Sequence, residues 1–198
     1  MSRAIVFDLF GVIASTQKPE DIARIEQIAG VDAAPFWEAY WALRKPYDAG
    51  QSAADYWAAV AGRLGVRFDD ETVRGLVEAD MESWTNVDPT MVDLVGELAA
   101  EGRTLGLLSN IVGDLVPTFE ARHGAWLAHF KVLAYSCEIG VAKPDREAYE
   151  IVAGRLGVEP QDCLFLDDNT TNVLAAREVG MRAEVFRDPA QARTLLSA

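Results

Sequence analysis

The chain has 198 residues, of which 50% are hydrophobic, and its formal net charge is −13. This length suits one domain of ordinary size or a core with a modest insertion, and the composition argues against disorder. The negative charge argues against nucleic acid or an anionic membrane surface as a partner. We find no signal-peptide pattern and no apolar run of membrane-spanning length, and therefore expect a cytoplasmic protein.

The two cysteines, Cys137 and Cys163, are far apart in the sequence and form no CxxC motif. We therefore expect free thiols in a reducing compartment. An acidic protein that acts on an anionic substrate needs local positive charge, from Lys or Arg side chains or from a bound divalent cation.

The first predicted strand, residues 3–8, ends in a carboxylate. The apolar run Ala4-Ile5-Val6-Phe7 is followed by Asp8, and Gly11 permits a tight turn soon afterwards. In a parallel sheet, Asp8 would project into the crevice outside the carboxyl ends of the strands, where open α/β folds bind ligands. From this segment alone, an aspartate that caps a turn explains the pattern equally well.

Residues 16–86 contain only helical patterns. The predicted helices cover residues 19–29, 34–44, 52–64 and 70–82. The residues from Tyr47 to Gly50 predict a turn. On the second helix, one face carries the aromatic residues Phe36, Trp37, Tyr40 and Trp41. This spacing favours packing among the helices over contact with a substrate.

Strands and helices alternate in the rest of the chain. Further strands are predicted at residues 104–109, 132–135, 163–167 and 183–186, and helices at 89–101, 114–122, 144–156 and 171–179. Such alternation indicates an α/β fold, a Rossmann-like parallel sheet flanked by helices. We expect residues 1–15 and 87–198 to form the catalytic core, and residues 16–86 a helical cap inserted after the first strand.

Polar residues stand at three further strand ends or helix starts. Ser109 and Asn110 follow one strand, Lys143 precedes the proline of a predicted helix, and Asp167 begins the run Asp-Asp-Asn-Thr-Thr-Asn after another. Taken singly, these are an ordinary turn, a solvated lysine and a helix cap. With Asp8, their order and spacing resemble the four-motif signature of the haloacid dehalogenase-like (HAD) hydrolase superfamily across essentially the whole chain. The helical block lies where that superfamily has its C1-type cap.

The resemblance implies a role for each of these residues. Asp8 would be the nucleophile that forms a covalent intermediate, which splits one difficult step into two easier ones. Lys143 would place a fixed positive charge near Asp8 and the substrate. Ser109 and Asn110 would hold substrate oxygens by hydrogen bonds.

The resemblance also implies a Mg²⁺ site. Asp8, the backbone carbonyl of Phe10 and Asp168 would ligate the ion, while Asp167 would support it from outside the ligand set or pair with Lys143. Asn172, one helical turn after Asp168, would orient the loop. Clustered carboxylates repel one another unless a cation compensates them, and oxygen-rich sites suit Mg²⁺.

Phe10 departs from the pattern of the superfamily's phosphatases, which usually carry there a second aspartate as general acid. A phenyl ring transfers no proton, and general acid catalysis is typically worth about 10²–10⁴-fold. An aromatic residue here resembles the 2-haloacid dehalogenase branch, which needs no metal and binds halide through a cap arginine. Arg44 lies in the corresponding region. That branch, however, has a Ser-Ser-Asn-x-x-Asp last motif and a threonine at the position of Val12.

The acidic pair in the last motif decides our interpretation, because carboxylates without a compensating ion are costly to cluster. We expect a Mg²⁺-dependent phosphatase that acts on a small phosphorylated metabolite, with neither nucleic acid nor membrane as a partner. A metal-independent 2-haloacid dehalogenase is the first alternative. The second is a catalytically degenerate member that binds a ligand or partner.

Overall fold

The computed structural model describes residues 3–196. Their central feature is a five-stranded, wholly parallel sheet with strand order β3-β2-β1-β4-β5. The strands are β1 (Ala4–Phe7), β2 (Thr104–Ser109), β3 (Val132–Tyr135), β4 (Cys163–Asp167) and β5 (Arg182–Val185). The first strand of the sequence thus lies in the middle of the sheet, with β2 and β4 as its neighbours. The predicted α/β fold is confirmed.

The strands are apolar throughout because both faces of the sheet are covered. Ile5 and Phe7 of β1 belong to one cluster of buried hydrophobic residues, whereas Ala4 and Val6 belong to another on the opposite face. The first cluster includes residues of α6 (Pro89–Ala100), α7 (Val116–Leu127) and α11 (Pro189–Leu196). The second includes residues of α9 (Arg146–Leu156) and α10 (Thr170–Glu178).

Five helices follow β1 along the chain before α6 begins. They are α1 (Pro19–Ala29), α2 (Ala33–Ala42), α3 (Arg44–Asp48), α4 (Ala53–Leu64) and α5 (Asp70–Ser83). Phe36 and Tyr40 of α2 and Trp57 of α4 are fully buried, in the same hydrophobic cluster as Phe7. The division of residues 16–86 from the rest as a cap stays a prediction.

The structure differs from the predicted elements at three places. The predicted turn at Tyr47 is partly helical. Helix α2 ends before Leu43, and the short helix α3 begins at Arg44 and includes Tyr47. Near the C-terminus, α11 lies in a segment for which we predicted no helix. The short α8 (Ser136–Ile139) was likewise not predicted.

Two general expectations concern the described residues as a whole. Both cysteines are free, as predicted. Within residues 3–196, the helices are all too short or too polar to cross a membrane.

Candidate active site

Asp8 lies at the carboxyl end of the central strand. Its backbone N–H donates to the carbonyl of Leu166 on β4 at 2.8 Å, which continues the strand pairing to the last residue before the loop. The side chain then turns into the crevice, where Oδ1 accepts a hydrogen bond from the Leu9 N–H at 2.6 Å. Because β2 and β4 flank β1, the ends of all three strands meet at this edge, as the parallel-sheet prediction required.

Lys143 joins the two strand-end carboxylates. Its Nζ lies 2.6 Å from Asp8 Oδ1 and 2.8 Å from Asp167 Oδ2, and all three side chains are buried. Asn110 holds the backbone of Lys143 from both sides, since its Oδ1 accepts from the Lys143 N–H at 2.8 Å and its Nδ2 donates to the Lys143 carbonyl at 2.9 Å. Asn110 therefore positions the lysine.

The carboxylate of Asp167 is saturated by hydrogen bonds. Its Oδ1 accepts from the Asn169 N–H at 2.8 Å, and Asn172 Nδ2 lies 3.2 Å from Oδ1 and 3.0 Å from Oδ2. Lys143 occupies the remaining side of Oδ2. This arrangement matches the expected pairing of Asp167 with Lys143, and it places Asn172 against Asp167.

Asp8, Asp167 and Asp168 form a carboxylate cluster, in which one oxygen of each lies within 4.8 Å of the others. Burial raises the pKa of Asp8 well above its ordinary value; the positive charge of Lys143 opposes this shift, and the negative charge of Asp167 adds to it. Desolvation and then Asp167 likewise raise the pKa of Asp168. Burial also disfavours the charged form of Lys143, but attraction to Asp8 and Asp167 outweighs it and raises the lysine pKa. One ammonium therefore only partly compensates the three carboxylates.

Gly11 lets the loop after β1 approach this cluster closely. Its φ is +83°, and a Cβ atom at this position would lie 2.3 Å from Asp168 Oδ2. Any side chain would therefore both strain the backbone and displace the carboxylate. Gly11, which the sequence assigned to a turn, is therefore also needed to leave room for the Asp168 carboxylate.

A cavity of about 280 Å³ opens onto the cluster. The predicted site residues that line it are Asp8, Phe10, Arg44, Asn110, Lys143, Asp168 and Asn172. The other lining residues are Thr16, Trp41, Asp48, Trp84 and Asn169. Trp41 is 52% exposed here, although the helical spacing favoured packing. The sequence did not identify Asp48 as a site residue, because it lay in a predicted turn.

Ser109 and Asp167 do not line this cavity. Ser109 is fully buried, and its hydroxyl has no hydrogen-bond partner among the described residues. Its predicted contact with substrate oxygens therefore requires a shift of its surroundings, and it stays a prediction.

Arg44 lines the cavity with its guanidinium already paired. Its Nε lies 3.0 Å from Asp48 Oδ1 and its Nη1 lies 3.0 Å from Asp80 Oδ2. The ring of Tyr40 lies 5.0 Å from the guanidinium carbon, and the Tyr40 hydroxyl accepts a hydrogen bond from Nη1. Asp48 and Asp80 thus engage two donors of the guanidinium that would otherwise be free to bind an anion.

Phe10 forms one side of an aromatic wall. Its ring packs edge-to-face against Trp84 at 5.1 Å and Phe119 at 6.1 Å, and Trp84 contacts Trp41 in the same manner at 6.2 Å. Phe10 therefore presents a hydrocarbon surface to the cavity. Its carbonyl oxygen accepts no hydrogen bond from another described residue.

The doubly covered parallel sheet and the charged cavity at its carboxyl edge define an α/β enzyme with a carboxylate-centred site. The chain belongs to the haloacid dehalogenase-like hydrolases, because the model of that family matches residues 2–180. The resemblance stated from the four motifs is confirmed.

Curated relatives include phosphatases. Phosphatase MT3486 of Mycobacterium tuberculosis is 29% identical over 200 residues, which cover 96% of this chain and 89% of that protein. Flavin mononucleotide hydrolase 1 of Arabidopsis thaliana is 53% identical over 53 residues, 27% of this chain and 22% of that protein. The latter match thus spans about a fifth of the relative's length.

Solved structures of two kinds share the fold. A HAD family enzyme of Bacteroides thetaiotaomicron, in a magnesium complex, superimposes with a TM-score of 0.78 at 17% identity, covering 100% of this chain and 99% of that one. An L-2-haloacid dehalogenase of Xanthobacter autotrophicus, with chloropropionic acid covalently bound, gives a TM-score of 0.71 at 22% identity. The superposition covers 100% of this chain and 84% of the dehalogenase chain.

Proposed function

We propose that the protein is a Mg²⁺-dependent phosphatase that hydrolyses a small phosphorylated metabolite through Asp8. The observation that carries this proposal is the cluster of Asp8, Asp167 and Asp168, whose oxygens lie within 4.8 Å of one another. Three carboxylates with one ammonium leave a site that favours a cation. The phosphatase names among the relatives support the same reaction.

The donor atoms suit Mg²⁺, which prefers oxygen ligands. Asp8 Oδ2, the Phe10 carbonyl and the Asp168 carboxylate accept no hydrogen bond from other described residues and remain open to an ion. Asp167 is saturated by its own donors and would act from outside the ligand set. A bound Mg²⁺ would supply positive charge to the phosphoryl oxygens.

The protein's own residues would then perform a two-step transfer. Asp8 attacks phosphorus, the bond from phosphorus to the leaving oxygen breaks, and an aspartyl phosphate forms. Water then attacks that phosphorus, which releases phosphate and restores the Asp8 carboxylate. Lys143, fixed by Asn110, holds Asp8 Oδ1 at 2.6 Å and so orients the carboxylate for attack. The ammonium also offsets the negative charge that builds up on the transferring group.

The test is turnover of p-nitrophenyl phosphate with Mg²⁺ and with EDTA, in the wild type and in Asp8→Asn. We expect phosphate release that needs Mg²⁺ and is lost in Asp8→Asn, which keeps the shape of the side chain without the nucleophile. Turnover that persists in Asp8→Asn, or that is equal in EDTA, would contradict the proposal.

Two lining residues favour metal-independent dehalogenation as a second candidate. Phe10 offers no proton donor, and Arg44 lines the same cavity. Against it, Nε and Nη1 of Arg44 already donate to Asp48 and Asp80, so these two donors are not free for a halide. Halide release from 2-chloropropionate in EDTA would establish this reaction. A folded protein that is inactive in both assays would indicate the ligand-binding alternative.

A further inference from the structure

The leaving group of a phosphate ester needs a proton, and the cavity has few groups that hold one. Its lining carboxyls are Asp8, Asp48 and Asp168. In the proposed function Asp8 attacks phosphorus and Asp168 binds the ion. Phe10 presents only hydrocarbon beside them. Asp48 is then the remaining carboxyl that faces the substrate.

Asp48 is held firmly at the cavity. It is the last residue of α3, and its carbonyl accepts a hydrogen bond from Ser136 Oγ at 2.5 Å. Ser136 Oγ in turn accepts from the Ile111 N–H at 2.9 Å, in the loop after β2. Asp48 is therefore tied to the carboxyl edge of the sheet, at the cavity that Asp8 also lines. Its side chain is 13% exposed, enough for contact with a bound substrate.

The local charges favour a proton on Asp48. Arg44 is the cation shared by Asp48 and the wholly buried Asp80. Asp80 accepts hydrogen bonds from Tyr40, Arg44 and Trp84, at 2.6, 3.0 and 3.1 Å. Asp48 accepts one from a described side chain, at Oδ1, so Oδ2 is open to carry a proton. A buried carboxylate that accepts few hydrogen bonds is more easily protonated.

The same environment acts on the acidity of Asp48. Burial raises the pKa of Asp48 from its ordinary value, although Arg44 opposes the shift. The charged and titratable groups that face it are Arg44 on its own helix, Asp80 on α5, Lys143 after α8, Tyr56 on α4 and Cys137 on α8.

We propose that Asp48 is the general acid that protonates the leaving oxygen, a role that rests on the proposed phosphatase function. As the Asp8 carboxylate bonds to phosphorus and the ester bond breaks, the proton on Asp48 passes to the leaving oxygen and an alcohol departs. The Asp48 carboxylate then accepts a proton from the water that hydrolyses the aspartyl phosphate. The cycle ends with both carboxyl groups in their starting states.

The test compares kcat/KM for two substrates, p-nitrophenyl phosphate and glycerol 3-phosphate, in the wild type and in Asp48→Asn. p-Nitrophenolate leaves readily without a proton, whereas an alkoxide does not. We expect Asp48→Asn to lose about 10²–10⁴-fold on glycerol 3-phosphate and less than about tenfold on p-nitrophenyl phosphate. In the wild type, activity on glycerol 3-phosphate should fall at high pH, where Asp48 loses its proton. This fall should be absent in Asp48→Asn. The ratio of the two losses does not depend on how much of the variant is folded.

Asp114→Asn is the control, because Asp114 accepts a hydrogen bond from Tyr47 on α3 at 3.1 Å but does not line the cavity. We expect it to lower both activities by the same factor. Equal losses on both substrates in Asp48→Asn would overturn the general-acid role while the Asp8-dependent phosphatase activity stands. A wild type without Mg²⁺-dependent activity on either ester would overturn the proposed function and, with it, this role for Asp48.

Discussion

Lys143 Nζ lies 2.6 Å from Asp8 Oδ1, and the two side chains are 1% and 9% exposed. The same ammonium also binds Asp167 at 2.8 Å. Removal of the charge leaves two buried carboxylates facing each other. We therefore expect Lys143→Met to lower the free energy of unfolding by about 3–5 kcal/mol in the absence of Mg²⁺, measured by urea denaturation.

The matched control for this prediction is Lys45→Met. Lys45 lies 2.9 Å from Asp145, but these side chains are 57% and 47% exposed. Such a surface pair contributes about 0–1 kcal/mol. If both variants lose the same small amount, the buried pair does not hold the strand ends together as the structure indicates.

Gly11→Ala should impair the site through one atom. Its Cβ would lie 2.3 Å from Asp168 Oδ2, in a backbone with φ of +83°. Gly102 has φ of +76° with nothing within 4 Å of its Cβ position, so Gly102→Ala carries the backbone strain alone. We expect both variants to lose about 1–2 kcal/mol of stability. Gly11→Ala alone should also lose phosphatase activity, and equal activities in the two would refute the contact.

Magnesium should stabilise the folded protein by relieving repulsion among the carboxylates. A ligand at about 100 times its Kd adds about 2.7 kcal/mol to the free energy of unfolding. We expect Mg²⁺ to raise Tm in thermal unfolding, and Asp168→Asn to lose most of that increase. Because Ca²⁺ and Mg²⁺ differ in preferred coordination, the shift should also differ between the two ions. If Mg²⁺ raises the Tm of Asp168→Asn as much as that of the wild type, Asp168 is not a ligand of the ion.

The stability of the protein should depend on pH through Asp48. Its folded-state pKa is raised above the ordinary value of 3.8 by burial, so the folded protein holds this proton more tightly than the unfolded chain. The associated stabilisation is complete below about 3.8 and is lost as pH rises through the folded-state pKa. Asp48→Asn removes this loss. The difference in unfolding free energy, variant minus wild type, should therefore increase from pH 4 to pH 8 in urea titrations; a decrease over that range would contradict the shift.

Trp41 should matter for substrate binding more than for stability. It is 52% exposed and lines the cavity beside Trp84. We expect Trp41→Ala to raise KM for p-nitrophenyl phosphate about three- to tenfold, since an aromatic contact contributes about 0.5–1.5 kcal/mol beyond area burial. Leu174 is also 52% exposed but lies outside the cavity. Leu174→Ala should leave KM unchanged, and an equal effect of the two variants would argue against a substrate contact at Trp41.

The strand ends were predictable because sequence order and sheet topology act together. An apolar run followed by Asp8, and another followed by Asp167, are local patterns, and parallel pairing brings their carboxyl ends to one edge. Lys143 and Asn110 were assigned as site residues through the resemblance to the HAD superfamily. The helix break at Leu43 was harder to predict from the sequence, because helix boundaries depend on tertiary packing as well as on local propensity.

The sequence by itself determined the parallel α/β architecture, the family and the carboxylates at the strand ends, because these depend on hydrophobic patterning and on short motifs. Only the tertiary structure decided which neighbours each charge has. It shows Arg44 shared between Asp48 and Asp80, and Asp168 packed against Gly11. It also brings Asp48 to the cavity and leaves Ser109 outside its lining. Such contacts join residues far apart in the chain, and burial and pairing arise only when the helices after β1 pack against the carboxyl edge of the sheet.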